Sequence, residues 1–355
     1  MAEDSDKIPS LPILTPDLPL GQGTNAIAER EASMKAVLFD KLGGAEVLQL
    51  GEAPKPEVRP NWVLIKNHAI GVNFADTLFR QGQYLMKPKL PDIPGLEAAG
   101  VVEAVGPGVT HVKVGTRVAA IGTKTYAEYG LFSASQVIPL PDFVSFEEGA
   151  AFPIQTLTAY HMLHTTHQTA PGQTVLVHSA AGGVGIVAVQ IAKAASARVI
   201  GTVSSDSKIG LVKEYGADAV INYATQDFAE EALKLTDGKG VDLILDAVGQ
   251  PTLQKGLHCL APFGHLLLYG RAGGPPEPLN LLTLFQKSLK VSGFVLYTVS
   301  AMPDKHREGI EKSFQRMKEG KLKLLIGKTF PLAQAAEAHR YMESRQSTGK
   351  LVLIP

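Results

Sequence analysis

From residue 34 the pattern of apolar and polar positions is β-type, and "MKAVLFD" alternates like a strand. "MKAVLFD", "NWVLIKNHAIGVN", "AAGVVEAVG", "GTRVAAIG" and "YAEYGLFS" are short runs of this kind, punctuated by glycine and proline. Such runs predict strands with one buried face, and together they predict a compact β-rich domain. "PLPD" at 139–142 predicts a closing turn. "SFEE" at 145–148 predicts a helix start, because a serine followed three residues later by glutamate can cap two amide groups reciprocally.

Beyond Gly172 the pattern changes. The runs 174–179 ("TVLVHS"), 198–203 ("RVIGTV"), 218–222 ("DAVIN"), 242–248 ("DLILDAV") and 265–270 ("HLLLYG") are almost continuously apolar and separated by helix-length segments. Strands of that type belong in a parallel sheet covered on both faces, so a doubly wound α/β domain is predicted. "LKVSGFVL" at 289–296 predicts an edge strand, "GIEKSFQRMKEGKL" an amphipathic helix and "GKLVLIP" a terminal strand. Residues 1–33, with prolines at 9, 12, 16 and 19 and no sustained periodicity, predict a flexible tail or a partner-binding peptide. The expected division is therefore tail 1–33, β-rich domain 34–155, dinucleotide-type domain 156–296 and a C-terminal segment 297–355.

Composition narrows the class. A chain of 355 residues exceeds the size at which one core stops growing, about 250–300 residues, which agrees with two domains. Lys+Arg and Asp+Glu are equal at 34 each and form no long runs, which argues against nucleic acid or an anionic membrane as partner. The single cysteine, Cys259, excludes an intramolecular disulfide and a thiolate zinc cluster from one chain, and a reducing cytoplasm is the expected setting. No apolar run reaches the roughly 20 residues needed to cross a bilayer, and the first ten residues are acidic where a signal or transit peptide is basic.

The candidate chemistry begins at residues 180–185. Here a β-branched strand runs into Ala180, Ala181, Gly182, Gly183, Val184 and Gly185, and an uncharged helix follows. This is the G-x-G-x-x-G pattern with alanine in first place, in the strand–turn–helix context that gives it meaning. Gly182 lets a pyrophosphate approach the backbone, Gly185 lets helix pack on strand, and the helix N-terminus supplies N–H groups and a positive dipole. A tight β–α turn without ligand is the plain alternative. After the second strand, where an acid grips the ribose of NAD, stand Ser204, Ser205, Asp206, Ser207 and Lys208. Hydroxyls and a lysine suit the 2′-phosphate of NADPH, while Asp206 speaks against it. A helix cap with a solvated lysine fits either cofactor.

Together with "GVNFADTLFRQGQY" (71–84), "PGLEAAGVVEAVGPGVTHVKVGTRV" (94–118), "AAGGVG" (180–185), "GTVSSDSK" (201–208), "ADAVINY" (217–223) and "GKLVLIP", these features mark a resemblance. From residue 34 to the end the chain resembles the zinc-independent quinone oxidoreductases of the medium-chain dehydrogenase/reductase superfamily. The resemblance implies a GroES-like catalytic domain completed by the C-terminal segment, an inserted Rossmann domain, and a homodimer joined through edge strands such as "VSGFVL". It implies that Ser204, Lys208 and Tyr223 flank the NADPH 2′-phosphate and that Asn73 and Tyr84 lie near nicotinamide and substrate. Leu78 departs from relatives that carry tyrosine there.

The zinc alcohol dehydrogenases of that superfamily hold their catalytic metal through a cysteine and a histidine in the segments that here contain Asn73 and Leu96. Amide and hydrocarbon side chains are poor or impossible zinc ligands, so no metal is expected. His161, His164 and His167 in "HMLHTTH" spread over about 120° of a helix and predict a partly exposed helix face. His178 predicts a packed or cofactor-adjacent ring, and Cys259 a small core residue. Glu97, alone in "IPGLEAAG", is expected to be a buried carboxylate tied to backbone N–H groups or to a basic residue. Without a Lewis acid, hydride transfer from NADPH suits quinones or enones, in which the developing charge is delocalised, with Asn73 and Tyr84 as positioning groups. Enoyl-thioester or alkenal reduction on the same scaffold, and a crystallin-like NADPH-binding structural role, are the rival readings.

Overall fold

The computed structural model describes residues 33–355, so the expected tail falls outside the described residues except for Ser33, which opens the first strand. β1 (Ser33–Leu38) and β2 (Gln49–Pro54) form an antiparallel ribbon. β3 (Trp62–Val72), β4 (Glu97–Val105), β5 (Arg117–Ile121), β6 (Tyr129–Ser133) and β7 (Val137–Pro139) supply most of the first domain's sheet. Between β3 and β4 lies α1 (Phe74–Arg80), and after β7 come α2 (Phe146–Ala151) and α3 (Pro153–His161). The expected capping box starts α2: the Ser145 hydroxyl accepts from the Glu148 amide at 3.1 Å, and the Ser145 amide donates to the Glu148 carboxylate at 2.9 Å.

The second sheet is built from β8 (Thr174–Val177), β9 (Arg198–Val203), β10 (Ala219–Asn222), β11 (Val241–Asp246), β12 (Leu260–Leu268) and β13 (Lys290–Gly293). All six run parallel in the order β10-β9-β8-β11-β12-β13. The helices between them are α4 (Gly183–Ala194), α5 (Ile209–Glu214), α6 (Phe228–Leu235), α7 (Gln250–Cys259) and α8 (Leu282–Phe285). Consecutive residues Val175–Val177 and Leu243–Leu245 are fully buried, as strands covered on both faces require. β8 stops before the expected end because Ser179 takes a positive φ of 53° and turns the chain toward α4. β12 starts earlier than its apolar run indicated. A bulge separates the pair Val241 and Leu260 from the pair Leu243 and His265, and it leaves Phe263 exposed.

The chain then returns. After α9 (Leu296–Ser300) and α10 (Pro303–Lys318), β14 (Ile326–Pro331) and β15 (Lys350–Ile354) join the first sheet, with α11 (Ala335–Glu343) between them. β15 lies antiparallel beside β3, placing Leu351 against Val72 and Val352 against Gly71. This return carries Lys350 into the cleft between the two sheets.

Candidate functional site

A cavity of about 1400 Å³ opens between the domains, with the glycine loop on one side and residues from β3, α1 and β5 on the other. Ala181, Gly182, Gly183, Val184 and Gly185 all line it. Gly182 is the N-cap of α4, and Gly183, Val184 and Gly185 form its first turn, so their amides face the cleft at the positive end of a twelve-residue helix. A Cβ on Gly185 would come within 2.3 Å of the Ser179 carbonyl oxygen. Only glycine permits that approach of helix to strand. The Gly349 amide donates to the Ala181 carbonyl at 2.7 Å, so the loop is also clamped by the segment leading into β15.

At the far end of the cleft stand Ser204, Lys208 and Tyr223. The Lys208 ammonium donates to the carbonyls of Arg345 and Ser347 at 2.7 and 2.8 Å, and the Ser204 hydroxyl donates to the Arg345 carbonyl at 3.3 Å. Burial depresses the pKa of Lys208. Asp206 turns away: exposed, it accepts from the Asn222 amide at 2.8 Å and does not line the cavity. Arg345 and Ser347, which the sequence reading did not single out, line this end too.

The opposite end holds the carboxylate. Glu97 is fully buried; one of its oxygens accepts from the Ile154 amide at 2.8 Å, the other from the Asn73 side-chain amide at 2.9 Å and from Lys350. Lys350 also donates to the Asn73 carbonyl oxygen at 2.7 Å, so Asn73, Glu97 and Lys350 form a closed set. Burial of such a charge is tolerable only with these partners. Gly71 makes room for it, since a Cβ there would meet the Glu97 side chain at 2.7 Å and the Ala150 carbonyl oxygen at 2.4 Å. The Glu97 expectation holds; its basic partner, Lys350, was not legible beforehand.

Beneath Asn73 a second polar chain runs inward. The guanidinium of fully buried Arg80 can only donate, so its bond to His339 Nδ1 at 3.1 Å puts the imidazole proton on Nε2. His339 Nε2 then donates to Tyr126 at 3.0 Å, and the Tyr126 hydroxyl donates to Asp76 Oδ2 at 3.0 Å. Asp76 Oδ2 also accepts from the Asn73 backbone amide at 2.8 Å, fixing the turn that presents Asn73. Burial, against which these hydrogen bonds and the Lys350 charge act, holds the Asp76 pKa up at about 7, and burial lowers that of His339 to about 3. Tyr84 lines the cleft, its phenol pushed up to about 12 by burial and by Asp76, with Arg271 opposing. Leu78 and Leu96 line the same region.

The three histidines of "HMLHTTH" do not converge. The helix α3 passes into a π turn over Met162–Thr166, and α10 packs against it. His161 is fully buried and bonded to Thr165, His164 meets Arg316, and His167 meets His265 and Gln173. The expected partly exposed face is corrected at His161, because a period argument does not see the helix that covers it. His178 is buried, its Nδ1 3.0 Å from the Thr202 hydroxyl, and it lines the cleft. Cys259 is a buried core residue whose thiol is pushed up to about 12 by burial.

Comparison with known proteins agrees with this geometry. Residues 183–312 match the zinc-binding dehydrogenase family and residues 59–142 the alcohol dehydrogenase GroES-like domain. A quinone oxidoreductase of Pseudomonas aeruginosa is 40% identical over 324 residues, 90% of this chain and 99% of that protein. The chain belongs to the quinone oxidoreductase family of the medium-chain dehydrogenase/reductase superfamily. A 2-haloacrylate reductase of a Burkholderia species is 39% identical, covering 90% of this chain and 98% of that protein. The crystal structure of the Escherichia coli quinone oxidoreductase complexed with NADPH superposes with a TM-score of 0.87 at 37% identity, covering 90% of this chain and 100% of that one. The fold within this family is thus a GroES-like domain with a Rossmann-type domain. Among the described residues, no three or more His, Cys, Asp or Glu side chains are grouped to hold a metal ion, and no helix is long and apolar enough to cross a membrane.

Proposed function

We propose that the protein is an NADPH-dependent, zinc-independent reductase of quinones and other conjugated carbonyl compounds. The observation that carries this reading is a single cleft with a helix N-terminus and a lysine–serine pocket at one end and the Asn73–Glu97–Lys350 set at the other. The cleft fits a dinucleotide. Three residues that line it carry buried polar atoms without partners: both side-chain polar atoms of Gln155, Nε2 of His178 and the Tyr297 hydroxyl. Relatives known as quinone oxidoreductases, one of them crystallised with NADPH, and a 2-haloacrylate reductase support the cofactor and the acceptor class.

In this reading the amides of Gly183, Val184 and Gly185 take the pyrophosphate, with Ala181 and Gly182 leaving room for it. Ser204, Lys208 and Tyr223, joined by Arg345, take the 2′-phosphate, since a dianion needs donors and positive charge. Bound NADPH supplies hydride from C4. Asn73, locked through both side-chain atoms, holds polar groups in register, and Tyr84 packs against or hydrogen-bonds the acceptor, whose proton comes from water or a hydroxyl. Glu97 has all its charge met by Lys350, Asn73 and Ile154, and Leu96 offers no donor atom, so the donor set does not suit zinc.

A homodimer is part of the proposal. β13 is the outer strand of the parallel sheet, and the preceding Leu281, Leu282 and Phe285 are exposed, as an edge-to-edge pairing between copies would require. A reducing cytoplasmic setting is supported by the single buried cysteine. The test is NADPH oxidation with 1,4-benzoquinone or 9,10-phenanthrenequinone beside crotonyl-CoA and an alkenal. Turnover of the quinones is expected; tight NADPH binding with no turnover on any acceptor would sink the enzyme reading in favour of a structural role.

A further inference from the structure

Arg271 is a charged side chain lining the cleft, whose wall also holds Leu78, Leu85, Leu96, Ile121 and Leu296. It follows Gly270 just past the carboxyl end of β12, on the edge of the parallel sheet where ligands of doubly wound folds bind. The backbone carrying it is held firmly. The amides of Ala272 and Gly273 donate to the carbonyls of Ala247 and Val248 at 3.0 and 2.8 Å. A Cβ on Gly270 would come 2.6 Å from the Ala247 carbonyl oxygen, and one on Gly249 would come 3.3 Å from the Arg271 Cα. The two loops are therefore pressed together, and Arg271 is presented from a fixed base.

The side chain is half-buried and lies within electrostatic reach of Tyr84. The other charged groups along the cleft are occupied. Asp227 caps α6 and pairs with Lys255, Glu343 accepts from Arg80 and Gln81, and Lys350 is bound to Glu97 and Asn73. Lys208 and Arg345 stand at the opposite, phosphate end. Among the described residues the Arg271 guanidinium has no hydrogen-bond or ion-pair partner. A weakly hydrated planar fork of donors, left free in the cleft within reach of a tyrosine, is matched to a planar or tetrahedral anion.

We propose that Arg271 is an anion anchor at the acceptor end of the cleft, and that the preferred acceptors are conjugated carbonyl compounds bearing an acidic group such as a carboxylate. The inference rests on the reductase reading above and names its substrate class. Arg271 would act on binding and orientation, holding the acidic group while the conjugated system lies against Tyr84 and the leucines.

The test compares 1,4-naphthoquinone with 1,4-naphthoquinone-2-sulfonate in the NADPH-loaded protein and in Arg271→Gln and Arg271→Lys. Because the sulfonate also alters the quinone's reduction potential, the readout is the change that each substitution makes in the ratio of kcat/KM, sulfonated over neutral. Arg271→Gln is expected to lower that ratio about tenfold or more, chiefly through KM, with partial recovery in Arg271→Lys. Added salt should lower the ratio in the unmodified protein toward the variant's value. NADPH affinity, read separately by fluorescence titration, is expected to move by less than about threefold. An unchanged ratio overturns the anchor. An equal loss for both quinones together with weakened NADPH binding assigns Arg271 to the cofactor and overturns it as well. If the neutral quinone is not turned over, the reductase reading fails, and the anchor is decided by the binding constants of the two quinones measured calorimetrically on the NADPH-loaded protein.

Discussion

The two ends of the cleft are built in different ways. The phosphate end comes largely from stretches that are short in sequence: a strand, a glycine loop and a helix in one run, then the strand end that carries Ser204 and Lys208. Its groups are half-exposed and its lysine is bonded to carbonyls that a ligand phosphate can replace or supplement. The carboxylate end is assembled from β3, β4, the start of α3 and the last strand, with the charges of Glu97 and Lys350 buried and paired. At one end the polar groups are part-exposed; at the other the Asn73–Glu97–Lys350 set is closed on itself and fixes geometry.

Substitutions should therefore act on different quantities at the two ends. The largest effect is expected for Lys350→Met, which leaves Glu97 buried without its cation: stability should fall by about 3–5 kcal/mol, read by denaturant unfolding through the fluorescence of the single tryptophan. A loss no greater than that of a surface lysine would break the contrast. Lys208→Ala should leave stability nearly untouched and weaken NADPH by about 10–100-fold, the worth of one charge-assisted hydrogen-bonding group, with NADH changed far less. Equal losses for both cofactors would refute the 2′-phosphate assignment.

A smaller effect separates the ends by pH. Asp76 ionises near its ordinary 3.8 in the unfolded chain and at about 7 in the folded protein. The folded state thus holds a proton that the unfolded state has lost, and stability should decline as pH rises from about 4 to 7, by about 1.4 kcal/mol per unit at most. Asp76→Asn, which keeps the acceptor for Asn73 and Tyr126, should flatten that slope. An unaltered slope would show that Asp76 is ionised in the fold.

What could be read beforehand follows the same division. The glycine loop was legible because its chemistry depends on neighbours a few residues apart, and the parallel sheet because its strands are apolar on both faces. Glu97 was legible as a buried carboxylate from its surroundings alone. Lys350, Arg345, Arg80 and His339 were not, because their partners lie far away along the chain and are met only when β15 and α11 return to the first domain. The one local sign was a lysine set directly before an apolar terminal strand. His161 was misjudged because helical periodicity gives direction, not what packs there. The Asn222 amide that Asp206 accepts from lies sixteen residues on and has no local sign in the sequence.

At the centre stands the proposed hydride transfer from NADPH to a conjugated acceptor in a cleft whose donor set does not suit zinc. Its most direct test is NADPH oxidation with 9,10-phenanthrenequinone by protein treated exhaustively with chelator and checked by elemental analysis. Full turnover with no stoichiometric zinc is expected. Turnover that is lost on chelation and returns only when zinc is added would contradict it.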